Sequence, residues 1–375
     1  MRTLMFIDIH VIQQLPSSNV NRDETGSPKT ALYGGVRRHR VSSQSWKRAT
    51  RETFADFVSD EYLGTRTKRA LELVAKEIVQ LDPEAAERAT ALAEGVFKQL
   101  GIGTEAVTKT DGDGEEKAKE LKTLFFLSKA QVRALANLAL ESEGKPKKTE
   151  AMKALQSDNA FDMALFGRMV ADTPALNIDA ACQVAHAIST HAVETEFDYF
   201  TAVDDYKAMT DKTDAGAGMI GTVEFVSSCL YRYATINVRQ LVSNLESSDD
   251  ARNAVEAFLK AFVSSMPSGK VNTFANNTLP AGVYVTLREG PMSLVGAFES
   301  AIRSDRGDGY VKKSVDSLID YAQTMYEAYG DPKDQFVMVA DRAAGSLTRL
   351  TDNKFSLDSL AMQVAATAIP TGDGE

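Results

Sequence analysis

The sequence predicts an α+β architecture: a strand-built palm that carries a helical insertion. Three observations support it. Strand-like alternation opens the chain at Met5–Ile12. A helical period of apolar residues then runs from about Arg66 to Ser142. Strand character returns near Val223–Val238 and Gly282–Leu287. Strands at both ends with a helical block between them describe one α+β fold and its insertion.

The elements follow in order. After Met5–Ile12, a second strand is expected at Val36–Val41, and Ser42-Ser43-Gln44-Ser45 turns the chain into a helix. Ser42 or Ser43 is the expected N-cap. In that helix Gln44, Lys47, Arg48 and Arg51 fall at i, i+3, i+4 and i+7 and share one face. Trp46, Ala49, Thr50, Thr53, Phe54 and Phe57 fall on the opposite face, which docks on a core. Ala70, Leu71, Val74, Ile78 and Leu81 make the next apolar stripe. Pro83 opens a second helix through Leu92, Val96 and Leu100, and Leu121–Leu140 reads as a third. Thr104–Glu116 reads as a solvated loop, and Gly144-Lys145-Pro146-Lys147-Lys148 as a linker. Phe161–Met169 reads as the end of a strand. Thr195–Val203 and Thr222–Val238 read as a long hairpin with a glycine-rich tip. Helices are expected at Pro291–Arg303 and Lys312–Tyr329, a strand at Phe336–Ala340, and a frayed tail after Ala368.

Composition excludes several classes. Charged residues are 25% of the chain and hydrophobic residues 43%, which fits a packed globular protein. No apolar run approaches the roughly 20 residues of a spanning helix. Leu4-Met5-Phe6-Ile7 is broken by Asp8 and His10, which argues against a secretory h-region. Cys182 and Cys229 lack CxxC spacing and are expected to be buried thiols. A cytoplasmic location is the expectation.

The charge distribution points to a ligand. The chain carries a formal net charge of −10. Yet Thr25–Arg51 holds seven cations, namely Lys29, Arg37, Arg38, Arg40, Lys47, Arg48 and Arg51, with His39 among them and no Asp or Glu. Without that stretch the remainder stands at −17. A surface built for solubility alone mixes signs, so a concentrated cationic stretch in an acidic protein reads as a polyanion site. The Ser-rich helix start adds hydroxyls, free N–H groups and the positive end of a dipole, which suit a phosphate.

Other motifs carry less. Gly216-Ala217-Gly218-Met219-Ile220-Gly221 matches GxGxxG, but it precedes a strand where a dinucleotide site needs a helix. A nicotinamide oxidoreductase is therefore set aside. His186 and His191 are off one helical face and read as structural histidines with backbone partners. Asp8, Asp23, Asp204 and Asp205 are the carboxylates that could hold magnesium, a weak signal. No GxSxG or P-loop is present. No catalytic residue, metal site or cofactor is expected.

Several ordered blocks resemble a known family. They include Phe6-Ile7-Asp8-Ile9-His10-Val11, Asn21-Arg22-Asp23, and Tyr33-Gly34-Gly35-Val36-Arg37-Arg38-His39-Arg40-Val41-Ser42-Ser43-Gln44-Ser45-Trp46-Lys47-Arg48-Ala49. Leu165-Phe166-Gly167-Arg168-Met169, Ala185–His191, Asp198–Asp205, Ile220–Phe225, Tyr231–Asn237 and Asn272-Thr273-Phe274-Ala275 continue the series. Together they resemble the backbone (CasC-type) subunit of the type I-E CRISPR Cascade surveillance complex.

That resemblance implies a modified RNA-recognition (ferredoxin-like) palm with inserted helical fingers and a β-hairpin thumb. The palm would occupy 1–60, 181–195 and 224–368, the fingers 61–180, the thumb 196–223, and a disordered tail 369–375. It implies a non-catalytic subunit that multimerises head to tail along the CRISPR RNA spacer and displays it for pairing with target DNA, in antiviral defence. Its partners would be CRISPR RNA, target DNA, other copies of itself and other Cascade subunits, with no membrane. RNA contacts carry over to Asn21, Arg22, Lys29, Ser42, Gln44, Lys47, Arg48, Arg51, Arg168 and Met169. Tyr199, Phe200 and Ile220 carry over as thumb residues that wedge against bases, with Tyr199-Phe200 standing where the family commonly has Trp-Phe. The alternative is a metal-dependent ribonuclease acting on target RNA through Asp23, because related backbone subunits cut RNA with a loop aspartate.

Overall fold

A computed structural model describes residues 5–111, 114–203, 217–305 and 307–370. It shows a mixed α+β protein whose strands pair antiparallel. Strand β1 (Phe6–Ser18) forms the centre, because its apolar residues alternate with polar ones that find buried partners. The other strands are β2 (Thr30–Tyr33), β3 (Val36–Val41), β4 (Gly64–Thr67), β5 (Thr104–Asp111), β6 (Gly114–Leu121), β7 (Phe125–Ser128), β8 (Cys182–Val184), β9 (Ala187–Ser189), β10 (Glu196–Val203), β11 (Ala217–Asn237), β12 (Gly282–Arg288) and β13 (Asp334–Val339). Among the described residues the main sheet runs β13-β12-β1-β11-β9-β3-β2, with β8 and β10 also pairing with β11. Phe6 lies opposite Asn237 on one side and Arg288 on the other, and this register holds through Ile12.

Some helices cover both faces of that sheet and others build a core apart from it. They are α1 (Ser43–Thr53), α2 (Ala70–Leu81), α3 (Ala89–Gln99), α4 (Lys129–Glu141), α5 (Lys148–Lys153), α6 (Phe161–Phe166), α7 (Val238–Leu245), α8 (Ser248–Ser264), α9 (Val271–Phe274), α10 (Val311–Tyr329) and α11 (Leu357–Ala368). On one face Ile7, Ile9 and Val11 pack with Phe258 and Phe262 of α8 and with Leu360 and Val364 of α11. On the other, Ile12, Tyr231 and Tyr284 pack with Val315, Leu318 and Ile319 of α10. A separate core joins α2, α3 and α4 through Leu71, Val74, Ile78, Phe97 and Leu135. Burying each such side chain contributes about 1.5–3 kcal/mol before the entropy of ordering is subtracted.

The structure corrects the sequence reading at five places. Thr104–Asp111 and Gly114–Glu116 are no loop: they lie in β5 and β6, where Thr104 pairs with Leu121 and Asp111 with Gly114, while residues 112–113 lie outside the described residues. Val107, Thr108 and Thr110 are strand formers, and their pairing wins over the polarity of the segment. Leu121–Leu140 is not one helix. Leu121 ends β6, aromatic Phe125-Phe126 sits in β7, and α4 starts only where Ser128 and Gln131 form a capping box. Phe161–Met169 is not the end of a strand but helix α6, stopped by Gly167 at φ +81°. Pro291–Arg303 holds only a short 3₁₀ turn at Val295–Phe298, pressed so closely on α10 that a Cβ on Gly296 would sit 2.3 Å from the Tyr321 hydroxyl. Phe57 lies beyond the end of α1 and is 38% exposed, so the docking face stops at Phe54.

Candidate nucleic-acid interface

The basic segment folds around the N-terminus of α1. Lys29 N–H donates to Asn21 O at 2.9 Å, and Arg40 N–H donates to Lys29 O at 2.8 Å. The side chain of Asn21 then reaches the helix, its Oδ1 accepting from Ser42 N–H at 2.9 Å. Ser42 is the N-cap, and its Oγ accepts from Ser45 N–H at 3.3 Å. His186 approaches from the β8–β9 turn, its Nδ1 accepting from Ser43 N–H at 3.1 Å. Asn19 Nδ2 donates to Gly26 O and Glu224 O, tying the loop to the root of the β10–β11 hairpin. The structure thus brings Asn21, Lys29, Arg40, Ser42 and His186 into one cluster. Beside it lies a cleft of about 410 Å³ lined by Asn21, Arg22, Asp23 and Gly269 among others. Gly269 is required there, because a Cβ would fall 2.2 Å from the Val20 carbonyl oxygen.

Three of the N–H groups at the helix start, those of Ser42, Ser43 and Ser45, therefore have acceptors within the protein. What stays open is charge. Arg22, Lys29, Arg37, Arg40 and Lys47 make no ion pair with a described residue. Burial lowers the pKa of His186, and the neighbouring Arg40 and Lys29 lower it further, as expected where cations crowd without an anion. Lys47 lies 5.7 Å from the Phe166 ring, and Gln44 is exposed on the same helix face.

The stretch is not wholly unpaired, however. Arg48 Nε donates to Glu52 at 2.8 Å across exposed surface. Arg51 Nε donates to the buried Asp162 at 3.0 Å, and its guanidinium covers the Phe126 ring at 4.7 Å. Arg38 is fully buried and donates to the carbonyls of Tyr33, Ser189, Phe298 and Glu299. It pins the β2–β3 hairpin, whose Gly34 has no room for a Cβ against the Glu299 carbonyl.

The other candidates stand on other segments. Arg168 is buried, its guanidinium held by the carbonyls of Leu176, Phe126 and Leu155 and by Gln131 Oε1. Met169, the next residue, is 82% exposed. Tyr199 is 63% exposed in β10. Phe200 is covered more, because its ring lies over Gly221 of the paired strand. Ile220 pairs with Thr201 in the backbone register, while its side chain, with Asp204, Asp205 and Gly216, lies outside the described residues. The sequence reading missed Phe197, 66% exposed. The period of two along the strand, which puts it on the face of Tyr199, could have found it.

The candidate magnesium ligands are scattered. Asp8 is buried, with Tyr233 Oη and Met292 N–H donating to it at 2.8 Å each, and burial raises its pKa. Asp23 is exposed, and its Oδ1 accepts from Thr25 N–H, Thr25 Oγ1 and Ser27 N–H. These bonds, led by the Thr25 hydroxyl, lower its pKa. Among the described residues no three His, Cys, Asp or Glu side chains gather as metal ligands do. His191 is built into the fold, accepting from Cys229 N–H and stacking on Tyr310 at 3.6 Å. Both cysteines are buried free thiols. No described helix is long and apolar enough to cross a membrane.

A family model described as CT1975-like protein matches residues 7–363. The chain belongs to that family. Two solved structures are similar over nearly the whole chain. A chain titled "CRISPR RNA-guided surveillance complex, pre-nicking" shares 34% identity at a TM-score of 0.78, with 97% of this chain and 100% of that one covered. A second, titled "CRISPR RNA-guided surveillance complex", shares 31% identity at a TM-score of 0.71, with 96% and 99% covered. No curated protein matches the sequence. These findings make the chain similar to backbone-type subunits of such complexes.

Proposed function

We propose that the chain is the guide-RNA-holding backbone subunit of a type I-E CRISPR surveillance complex. Copies would stack head to tail along the CRISPR RNA spacer and display it for pairing with target DNA. The observation that carries this reading is the open cation cluster of Arg22, Lys29, Arg40 and Lys47 around the Asn21–Ser42 contact, in a chain whose remainder is strongly acidic. A subunit that accepts any guide must grip phosphates and leave base reading to pairing. Lysine, arginine and serine do this without sequence preference. Residues 61–180 would act as fingers and 196–223 as a thumb, with Met169, Tyr199, Phe200 and Ile220 meeting bases by stacking or wedging. A head-to-tail interface is heterologous and does not close, so repetition gives a helix.

The subunit is read as non-catalytic, Asp23 shaping its own turn. Incubation of the assembly with complementary RNA and magnesium should leave that RNA intact. Regular cuts that vanish in Asp23→Ala would establish the ribonuclease reading instead. The binding reading is tested by the triple variant Lys29→Glu, Arg40→Glu, Lys47→Glu, none of which breaks an ion pair with a described residue. It should fold normally and lose RNA retention in filter binding. Wild-type affinity in the folded triple variant would refute the assignment of this face.

A further inference from the structure

Arg38, Arg168, Arg232 and Arg288 are buried and make no ion pair with a described residue, and at two of them, Arg232 and Arg168, no carboxylate acts on the guanidinium at all. Arg232 of β11 is 1% exposed. Its guanidinium carbon sits 3.7 Å from the centre of the Trp46 ring and 4.5 Å from that of Phe262. It donates to Gln13 Oε1 at 2.6 Å and to the Phe262 carbonyl, while its Nε has no partner. Gln13 in turn donates to Thr278 O at 2.7 Å. Arg168 is 4% exposed and bonded to neutral acceptors, namely carbonyl and amide oxygens and the Met163 Sδ at 3.7 Å. Neither makes an ion pair with a described residue. Burial is the single cause acting on each guanidinium, lowering the pKa of Arg232 to about 9 and that of Arg168 to about 10.

A desolvated cation without a counter-charge is costly, and an apolar side chain of similar volume is often neutral or better in its place. Each arginine adjoins a candidate contact through packing or along the chain. Trp46, on which Arg232 rests, precedes Lys47 in α1. Arg168 precedes the exposed Met169. A helix is about 10 Å across, so the Arg232 charge lies on the order of 10 Å from a phosphate on the outer stripe of α1. Most of that path is protein, where a charge is screened less than in water.

We propose that Arg232 and Arg168 are positioning residues for the nucleic acid. They hold α1 and Met169 from below, and the bound polyanion balances their buried charge. The inference rests on the guide-RNA reading, adds Arg232 to the site, and gives the buried Arg168, expected from the resemblance as a contact, a role that needs no touch with a phosphate. It predicts that the two roles separate by salt dependence. A contact residue neutralises a phosphate, so Lys47→Ala should flatten the log–log salt slope by about 0.7. Arg232→Met removes charge but no contact. It should keep or raise the melting temperature of the free protein, weaken RNA binding about tenfold, and leave the slope near the wild-type value.

The test uses the full chain with a synthetic single-stranded RNA long enough for one copy, titrated at several salt concentrations. Emission of Trp46, the only tryptophan, should change on RNA binding in the wild type and not in Arg232→Met. Wild-type affinity in a folded Arg232→Met, or a slope flattened as in Lys47→Ala, overturns the inference. If Arg232→Met fails to fold, Arg232→Lys decides. Charge kept at the same depth should hold affinity within about threefold of the wild type, and a tenfold loss there overturns the inference. Arg168→Met and Arg168→Lys repeat the comparison under Met169. Failure of the wild type to bind RNA would instead refute the guide-RNA reading itself.

Discussion

The two ends of α1 share one stripe of side chains and put it to different uses. At the N-terminal end, Lys47 and the nearby Lys29 and Arg40 have no acid to meet among the described residues, and Asn21 and His186 occupy helix N–H groups. At the C-terminal end, Arg51 is half-buried, bound to Asp162 and laid over Phe126. Spacing at i, i+3, i+4 and i+7 places a side chain on a face. It does not decide whether that face meets solvent or a neighbouring helix. The difference comes from α6, which brings Asp162 to Arg51 from 111 residues away. One half of the stripe is left for a ligand, and the other fastens α1 to the rest of the molecule.

The largest effect should follow from breaking the fastened end. Asp162 also accepts from Gly64 N–H at 2.9 Å, so Asp162→Ala strands two donors. We expect a loss of about 3–5 kcal/mol in urea unfolding. Arg51→Met together with Asp162→Leu should recover most of it, because an apolar pair replaces both charges. If RNA affinity fell in that stable double variant, the C-terminal end of the stripe would belong to the ligand site after all.

A second test reads the interior beneath β3 by pH. His39 is buried, its Nδ1 bonded to Ser228 Oγ at 2.8 Å, and burial, helped by nearby His191, lowers its pKa to about 4. The unfolded chain binds a proton at its ordinary value, near 6.5. Since the folded pKa is depressed, the stability contribution is full above pH 6.5 and is lost as pH falls toward 4. It amounts to about 3 kcal/mol at the lower limit. His39→Gln should flatten the pH dependence of the urea midpoint across that window. A profile identical to the wild type would mean that His39 titrates normally in the fold.

Much of this was legible in the sequence, and the rest was not for identifiable reasons. The amphipathic face of α1 was visible because Trp46, Ala49 and Thr50 keep helical spacing over several turns, and all three are buried. The Thr25–Arg51 charge bias was visible because composition is local. Ser189 and Phe298 for Arg38, Asp162 for Arg51, and Phe126 and Gln131 for Arg168 were invisible as partners, because each lies far away in sequence. Charge counting treats a buried guanidinium and an open one alike. Phe125-Phe126 and Phe161–Phe166 were misread because short apolar runs satisfy both periods, and only the cap at Ser128 or the glycine at 167 settles them.

A smaller effect is expected at the joint between the loop and the open end of the stripe. Asn21→Ala removes the acceptor for Ser42 N–H and should cost about 1 kcal/mol. Hydrogen exchange at the Ser42 amide should speed up, while Asn21→Asp, which keeps an acceptor, should protect it. Equal exchange in all three proteins would show that Asn21 does not hold the loop to α1.

The smallest effect on the fold, and the sharpest on the comparison, concerns Arg48 in the middle of the stripe. Its pair with Glu52 is i,i+4 and exposed on both sides, so the fold gains little from it. Glu52→Ala should leave the melting temperature unchanged. It should also release Arg48 to the same side as Lys47, giving the open end one more cation. If that side faces the phosphates, the salt slope of RNA binding should steepen by about 0.7. An unchanged slope would place the boundary between the two uses of α1 at Lys47 rather than after Arg48. A steeper slope makes wild-type Glu52 a local competitor for Arg48, and an unchanged one makes it mere surface charge.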